Sequence, residues 1–596
     1  MAGRARHGGQ GERPDAGNLL LAFADAIHAP VPAHVRRLDE DDRLRAHDAC
    51  IAQCMGSDHR IPFDAAQTRL VHSAMGRVVA WLGLVIALTV GAAVRWTPPD
   101  QVQDLRPRPD ALEYEEGARS LASGEGYCLV FDGGCWPPRY PPGFSLLLVP
   151  GVWLSGGRHG SGIWTVLAFA LLGIVAVWRL GFVTRGPASA VAAAWLLALS
   201  PLHVRWSRAV MSDVPAATVV TLLTLGGIRA LDAGGVRLWA VLGVATGLST
   251  LLRQVCALVA IPLAIALAAR APGSAAARSA LLAFGSGAAA GLLPGSIYSL
   301  VRFGSPLASG YDYWVAADFF DWRNALARPA VGTESNLIFL ARQLAGLGAL
   351  YPWPGAVLAA GGLVLAWAAR GRPRHFATIA TGTVAATLLL YLPFFWQWDR
   401  FLVPILPLLL ALAALPAGAG PPPPLRIASG LMAGLIGVSA FVTPGAFAPP
   451  DRPIGEAAGL RAIAARVEPN AALLAHGDVL LIRRLFRGDT ERIWVPIGRC
   501  EHRALVRQLN RSPIAPAAEP GNWTWDPLGA GADGGDVEDV VRLLHLGGRP
   551  VYFTPMLMWQ TPLVAQTLRA LQGRFTLTPV ATTPPTGLVR VGPREP

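Results

Sequence analysis

Arg77-Val78-Val79-Ala80-Trp81-Leu82-Gly83-Leu84-Val85-Ile86-Ala87-Leu88-Thr89-Val90-Gly91-Ala92-Ala93-Val94-Arg95 is an apolar run with a cation at each end. It is just long enough to cross the hydrocarbon core of a bilayer as a helix. Further apolar runs follow near 161 to 178, 187 to 203, 214 to 228, 238 to 252, 254 to 269, 279 to 300, 354 to 369, 376 to 395, 401 to 418 and 427 to 445. The pattern predicts an α-helical polytopic membrane protein with about eleven transmembrane helices. The composition agrees: hydrophobic residues make up 52% of the 596 and charged residues only 15%, against about 25% charged in a typical soluble protein.

The arginines orient these spans. The net charge is +12 and no lysine occurs. The cations fall between apolar runs rather than along one basic stripe, which argues against nucleic acid as a partner. With the N-terminus inside, the inner loops carry Arg179 and Arg185, Arg229 and Arg237, Arg270 and Arg278, Arg370, Arg372 and Arg374, then Arg426, as cytoplasmic loops do. This holds only if Phe144 to Leu154, too short to span, lies along the interface.

Three regions follow. Residues 1–76 are polar, do not read as a signal peptide, and are expected to be cytoplasmic and largely disordered. Residues 77–448 form the transmembrane domain, with outer loops 95–160, 204–213 and 302–350. In residues 449–596, short alternating stretches predict a small extracytoplasmic α/β domain, with strands at Ala471 to Ala475 and Val551 to Thr554 and a helix from Asp478 to Phe486. Lysine-free composition suggests a GC-rich bacterial genome, and so the cytoplasmic (inner) membrane.

Chemistry-bearing residues gather in the outer loops. Asp110 opens a stretch in which Ala111, Tyr114, Ala118 and Leu121 share one helical face, predicting an amphipathic helix along the membrane. Asp110 is then either its N-cap, with Glu113 completing a capping box, or a functional carboxylate. Arg139-Tyr140-Pro141-Pro142-Gly143 is a stiff turn delivering a guanidinium and a ring to the membrane surface, either to a lipid phosphate or to the headgroup layer. Ser212 and Asp213 cap a helix start, yet Asp213 borders apolar spans where an ionised group needs a reason. His203, Arg205, Arg208, Arg253 and Arg302 add positive charge on the same side, which favours an anionic ligand. Cys128 and Cys135 are placed to pair if their loop lies outside the reducing cytoplasm. Cys50 and Cys54, flanked by His47 and His59, have zinc-like spacing in a segment with little sign of packing. In the tail, His476, Asp478, Cys500, Glu501 and His502 form no recognisable motif.

Asp110 with Tyr114, Arg139 to Phe144, Ser212-Asp213, Arg302-Phe303-Gly304-Ser305-Pro306 with Gly310-Tyr311, and Asp399-Arg400-Phe401-Leu402-Val403-Pro404 together resemble the polytopic lipid-linked-sugar transferases of the glycosyltransferase C superfold. The branch is the one containing protein O-mannosyltransferases, aminoarabinose transferases and rhizobial-type lipopolysaccharide sugar transferases. The resemblance covers roughly Val78 to Gly418. It implies that Asp110 is the catalytic base and Asp213 a second acidic site residue. Tyr114, Arg139, Tyr140, Arg302, Tyr311 and Arg400 would contact the donor's phosphate and sugar. Phe401 stands where relatives often carry Tyr.

The implied activity moves a sugar from a polyprenyl-phosphate donor to a glycolipid, polysaccharide or protein acceptor at the outer face, with inversion by a single Asp base. No cofactor is implied with certainty; a divalent metal is compatible with two carboxylates, which are too few to define a site. The competing expectation is a polytopic transporter or flippase of an envelope lipid, although no internal repeat of the kind common in carriers is found.

Overall fold

The computed structural model describes residues 63–99, 110–131, 134–270, 273–311, 320–329, 332–442, 456–475, 492–496, 538, 541–542, 544–554, 561–581 and 587–594. The zinc-like Cys50 and Cys54, the tail residues 476 to 502 singled out above and the expected helix Asp478 to Phe486 lie outside them. The chain divides into two compact units, Met1–Met75 and Gly76–Pro596. The description concerns the second, apart from the opening turns of the first helix.

That helix runs Phe63–Arg95. It begins well before Val78, because Phe63 to Gly76 contains no proline and favours helix throughout. Helices follow at Ile163–Arg185, Pro187–Ala198, Asp213–Ala233, Val236–Ser249, Ala260–Arg270, Ala275–Phe303, Trp353–Ala368, Arg372–Tyr391, Leu406–Ala414 and Pro423–Val442, one at each expected span. Among the described residues, five helices are long and apolar enough to cross a membrane by length and composition: Met75–Arg95, Ile163–Arg185, Asp213–Ala233, Ala275–Phe303 and Asp399–Ala417. Others are shorter. The 12 residues of Pro187–Ala198 reach only about 18 Å, less than a full hydrocarbon core. On the first helix Val78, Trp81, Leu82, Val85 and Ile86 are all more than half exposed, an outer face suited to lipid and costly in water.

Glycine sets the closest helix pairing. A Cβ on Gly243 or Gly247 would stand 2.1 or 2.3 Å from the backbone oxygens of Phe284 and Ala288, and one on Gly287 or Gly291 would meet Ala240 and Val244 equally closely. Two small-xxx-small stripes thus let Val236–Ser249 and Ala275–Phe303 touch backbone to backbone, the packing that stands in for hydrophobic drive in lipid.

Loops assigned to one side by their arginines do converge at one end. Arg185 donates to Ala419 O at 2.8 Å and to Leu365 O at 2.6 Å, and Arg372 pairs with Asp232. The loops at the other end carry the motif pieces of the resemblance and form the site below. There the helix Pro142–Leu154 buries Phe144, Leu148 and Val152 while Trp153 and Leu154 remain exposed, the one-sided apolar burial expected of an interfacial helix.

The tail contains a mixed five-stranded sheet, in the order β4-β3-β5-β7-β6. Its strands are β3 (Ala472–Ala475), β4 (Ile493–Pro496), β5 (Val551–Thr554), β6 (Phe575–Ala581) and β7 (Leu588–Pro593). The strands β1 (Leu129–Phe131) and β2 (Gly134–Trp136) form a separate hairpin. Parallel pairing of β3 with β4 and β5 needs the crossover connections of an α/β unit, whereas β5, β7 and β6 pair antiparallel. One face, with Leu474, Val551, Phe553 and Val591, packs on Val541, Leu544 and Leu571.

Candidate active site

Asp110 is the first residue of the helix Asp110–Ala122, which is buried on nearly every side. This corrects the amphipathic expectation. Glu113 is 1% exposed and Glu115 0%, because neighbours supply partners: Glu115 accepts from the backbone N–H of Gly160 at 3.2 Å, and Glu113 accepts from the Nε and backbone N–H of Arg139 at 2.7 and 3.1 Å. Glu113 therefore serves the Arg139 turn. Asp110 takes a guanidinium on each oxygen, Arg400 at 2.6 Å and Arg139 at 3.8 Å.

The proline turn fixes where Arg139 lies. Pro141 is extended and Pro142 opens the next helix, while the N–H of Gly143 donates to Leu251 O at 2.8 Å. A Cβ on Gly143 would lie 2.5 Å from that backbone, so only glycine permits the approach. Gly310 is equally constrained, with a Cβ position 2.2 Å from Pro138 O. It brings Tyr311 edge-on to Tyr140 at 5.5 Å, and Tyr140 stacks on Tyr114 at 4.4 Å.

Electrostatics follow from this packing. Burial pushes the Asp110 carboxyl up, but the Arg400 and Arg139 guanidiniums and a Tyr140 hydrogen bond outweigh it and hold the carboxyl below its ordinary value. For Glu113 burial prevails over Arg139, and its pKa is raised. Burial also works against charge on Arg139, yet Glu113, then Tyr140 and Asp110, keep it firmly protonated. Tyr311 is pushed up to about 12 by burial, then by Asp110.

The second carboxylate is connected to the first. The Tyr114 hydroxyl lies 3.0 Å from Ser212 Oγ, Ser212 accepts from Arg253 at 3.2 Å, and Arg253 pairs with the fully buried Asp213 at 2.9 Å. Arg400 closes the group, its guanidinium 4.2 Å from the Trp398 ring and near Met211 Sδ. Tyr114, Arg139, Tyr140, Tyr311, Arg400 and both aspartates are thus gathered together. Arg302 is placed apart, donating to Cys135 O at 3.4 Å beside the Cys128–Cys135 disulfide that staples the β1-β2 hairpin.

Sequence reasoning missed the pairing role of Glu113 and the aromatic seat of Arg400. The second had a signal, since Trp396 and Trp398 immediately precede the cation. Phe401 packs among Tyr391, Phe394 and Trp398, a setting that suits an apolar ring. Each aspartate is paired with a guanidinium, and among the described residues no three or more His, Cys, Asp or Glu side chains are grouped as a metal site would need.

Residues 139–298 match the model of the dolichyl-phosphate-mannose-protein mannosyltransferase family, a stretch that includes Arg139, Asp213 and Arg253. The fold resembles ArnT from Cupriavidus metallidurans at 16% identity over 87% of this chain and 98% of that one, with a TM-score of 0.51 to the apo structure and 0.53 to the structure bound to undecaprenyl phosphate. A fainter likeness is to the Archaeoglobus fulgidus oligosaccharyltransferase: 13% identity, 87% and 74% coverage, TM-score 0.46. No curated protein sequence matches the chain. The fold is the one seen in the ArnT structures. The chain is a multi-pass membrane protein, and the family it matches in sequence is one of glycosyltransferases.

Proposed function

We propose that the protein is a membrane glycosyltransferase that moves a sugar from a polyprenyl-phosphate donor to an envelope acceptor, working at the outer face of a bacterial cytoplasmic membrane with its N-terminus inside and its tail outside. The observation that carries this reading is Asp110, a buried carboxylate held by two arginines in a tyrosine- and tryptophan-walled group. The undecaprenyl phosphate bound in the ArnT structure supports a lipid-phosphate donor.

The chemistry balances without a cofactor. The acceptor hydroxyl gives its proton to Asp110 as its oxygen bonds to the anomeric carbon. The bond from that carbon to the phosphate oxygen breaks, and its electron pair leaves with the polyprenyl phosphate. Attack opposite the leaving group inverts the anomeric centre, in contrast to the two-step retaining route. In the resting site Asp110 is a poor base, since two guanidiniums stabilise its anion. A donor phosphate competes for those same guanidiniums. Once Arg400 or Arg139 turns to the phosphate, the carboxylate becomes more basic where the acceptor arrives, and the departing charge is stabilised. Tyr114, Tyr140 and Tyr311 wall the sugar.

The test compares lipid-linked sugars and envelope glycans in cells lacking the protein, complemented with wild type or Asp110→Asn at equal membrane levels. The expected result is that only wild type restores a missing sugar and consumes its polyprenyl-phosphate carrier. Full restoration by Asp110→Asn would reject the reading.

A further inference from the structure

A second basic site lies in the tail, far from Asp110 in sequence. The start of β5 and the strands β6 and β7 border a solvent-open cavity of about 730 Å³. Arg549, Arg590 and Arg594 line it with His545, Thr576 and Thr578, and none of the described lining residues is acidic. Strand register explains the grouping: Thr576 lies opposite Gly592 and Thr578 opposite Arg590, so alternation puts these four on one face. Two of the guanidiniums are tethered, Arg549 to Asn470 O at 2.9 Å and Arg594 to Gly573 O at 3.1 Å. The acid that interacts with Arg590 is Glu468, already engaged by the Tyr552 hydroxyl at 2.7 Å.

We propose that this cavity binds the phosphate of a phosphorylated sugar headgroup. Three arginines around one concavity suit phosphate oxygens, and the two threonine hydroxyls suit sugar hydroxyls. The volume falls in the range of small-ligand sites. Among the described lining residues there is no Phe, Tyr or Trp, the large rings on which single-stranded nucleic acid chiefly stacks. Burial and Arg590 keep His545 below its usual protonation range, so near pH 7 it serves as a neutral hydrogen-bonding group. The proposal does not rest on the transferase reading, since binding is measured without turnover.

The experiment uses the full chain in zwitterionic nanodiscs, titrated calorimetrically at low salt with glucose 1-phosphate and, as control, glucose. Saturable binding of the phosphate alone is expected. Arg590→Gln with Arg594→Gln should weaken it at least about tenfold. Gly592→Leu should block it while leaving the charge unchanged; a Cβ there meets nothing nearer than Thr576 O at 3.8 Å, so this variant tests the cavity should the double variant fold poorly. Absence of binding to wild type, or binding that survives both cavity variants, overturns the proposal. Repeating the titration in phosphatidylglycerol discs separates the sources: competition by the lipid assigns the site to a membrane headgroup, and undiminished binding to a phosphate carried on a glycan.

Discussion

Both ends of the helical body carry an aspartate paired with an arginine, in different surroundings. At one end Asp232 and Arg372 are 28% and 54% exposed; at the other, the Asp110, Arg139 and Arg400 side chains are 11%, 1% and 10% exposed. Water screens the first pair, which makes it worth little. At the second, each ion depends on its neighbours, and removing one leaves the others buried without compensation. Sequence alone makes the pairs look alike. Burial separates a solvated pair at two helix ends from a group whose members are held by one another.

The strongest way to break this contrast is Asp110→Asn. With donor and acceptor supplied to reconstituted protein, transfer should fall by roughly 10³-fold, within the span expected for loss of a general base, while donor binding persists. A wild-type rate would make Asp110 another structural ion. Next comes Asp213→Asn, which strands Arg253 beside apolar helices. Denaturation in detergent should record a loss of about 3–5 kcal/mol, largely recovered when Arg253→Gln is added; a loss that simply doubles would refute their pairing.

Arg400→Gln sharpens the contrast through pH. Removing this cation should weaken donor binding about 10- to 100-fold. It also lifts a downward influence on the Asp110 carboxyl, which then protonates at a higher pH, so activity is lost sooner as pH falls. A pH–rate profile whose acid limb stays in place, or moves lower, contradicts the assignment. Asp232→Asn anchors the small end of the scale: its stability should stay within about 1 kcal/mol of wild type, and a larger loss in the same denaturation assay would erase the distinction drawn between the two ends.

The helices were legible because lipid imposes a simple rule, an apolar run such as Val78 to Val94 punctuated by arginine. Grouping of the loops followed from Arg185 and Arg372 for the same reason. The helix from Asp110 was misjudged because Glu113 and Glu115 look like a solvated face, and nothing local reveals that Arg139 and Gly160 will arrive to satisfy them. Tyr114, Arg139, Tyr140 and Arg400 came from motif order, whereas the link from Tyr114 through Ser212 to Arg253 is tertiary geometry and leaves no spacing to read. Arg302 was drawn toward the site by its motif, but its helix ends at the hairpin, where Cys135 takes its guanidinium.

The contact between Gly143 and Leu251 ties the stretch carrying Arg139 to the end of the helix leading into Arg253. With backbone against backbone, neither strand of that clasp can slide alone. The seats of Arg139 and Arg253 are thereby joined through main chain rather than through side chains, with the glycine as the pin between them.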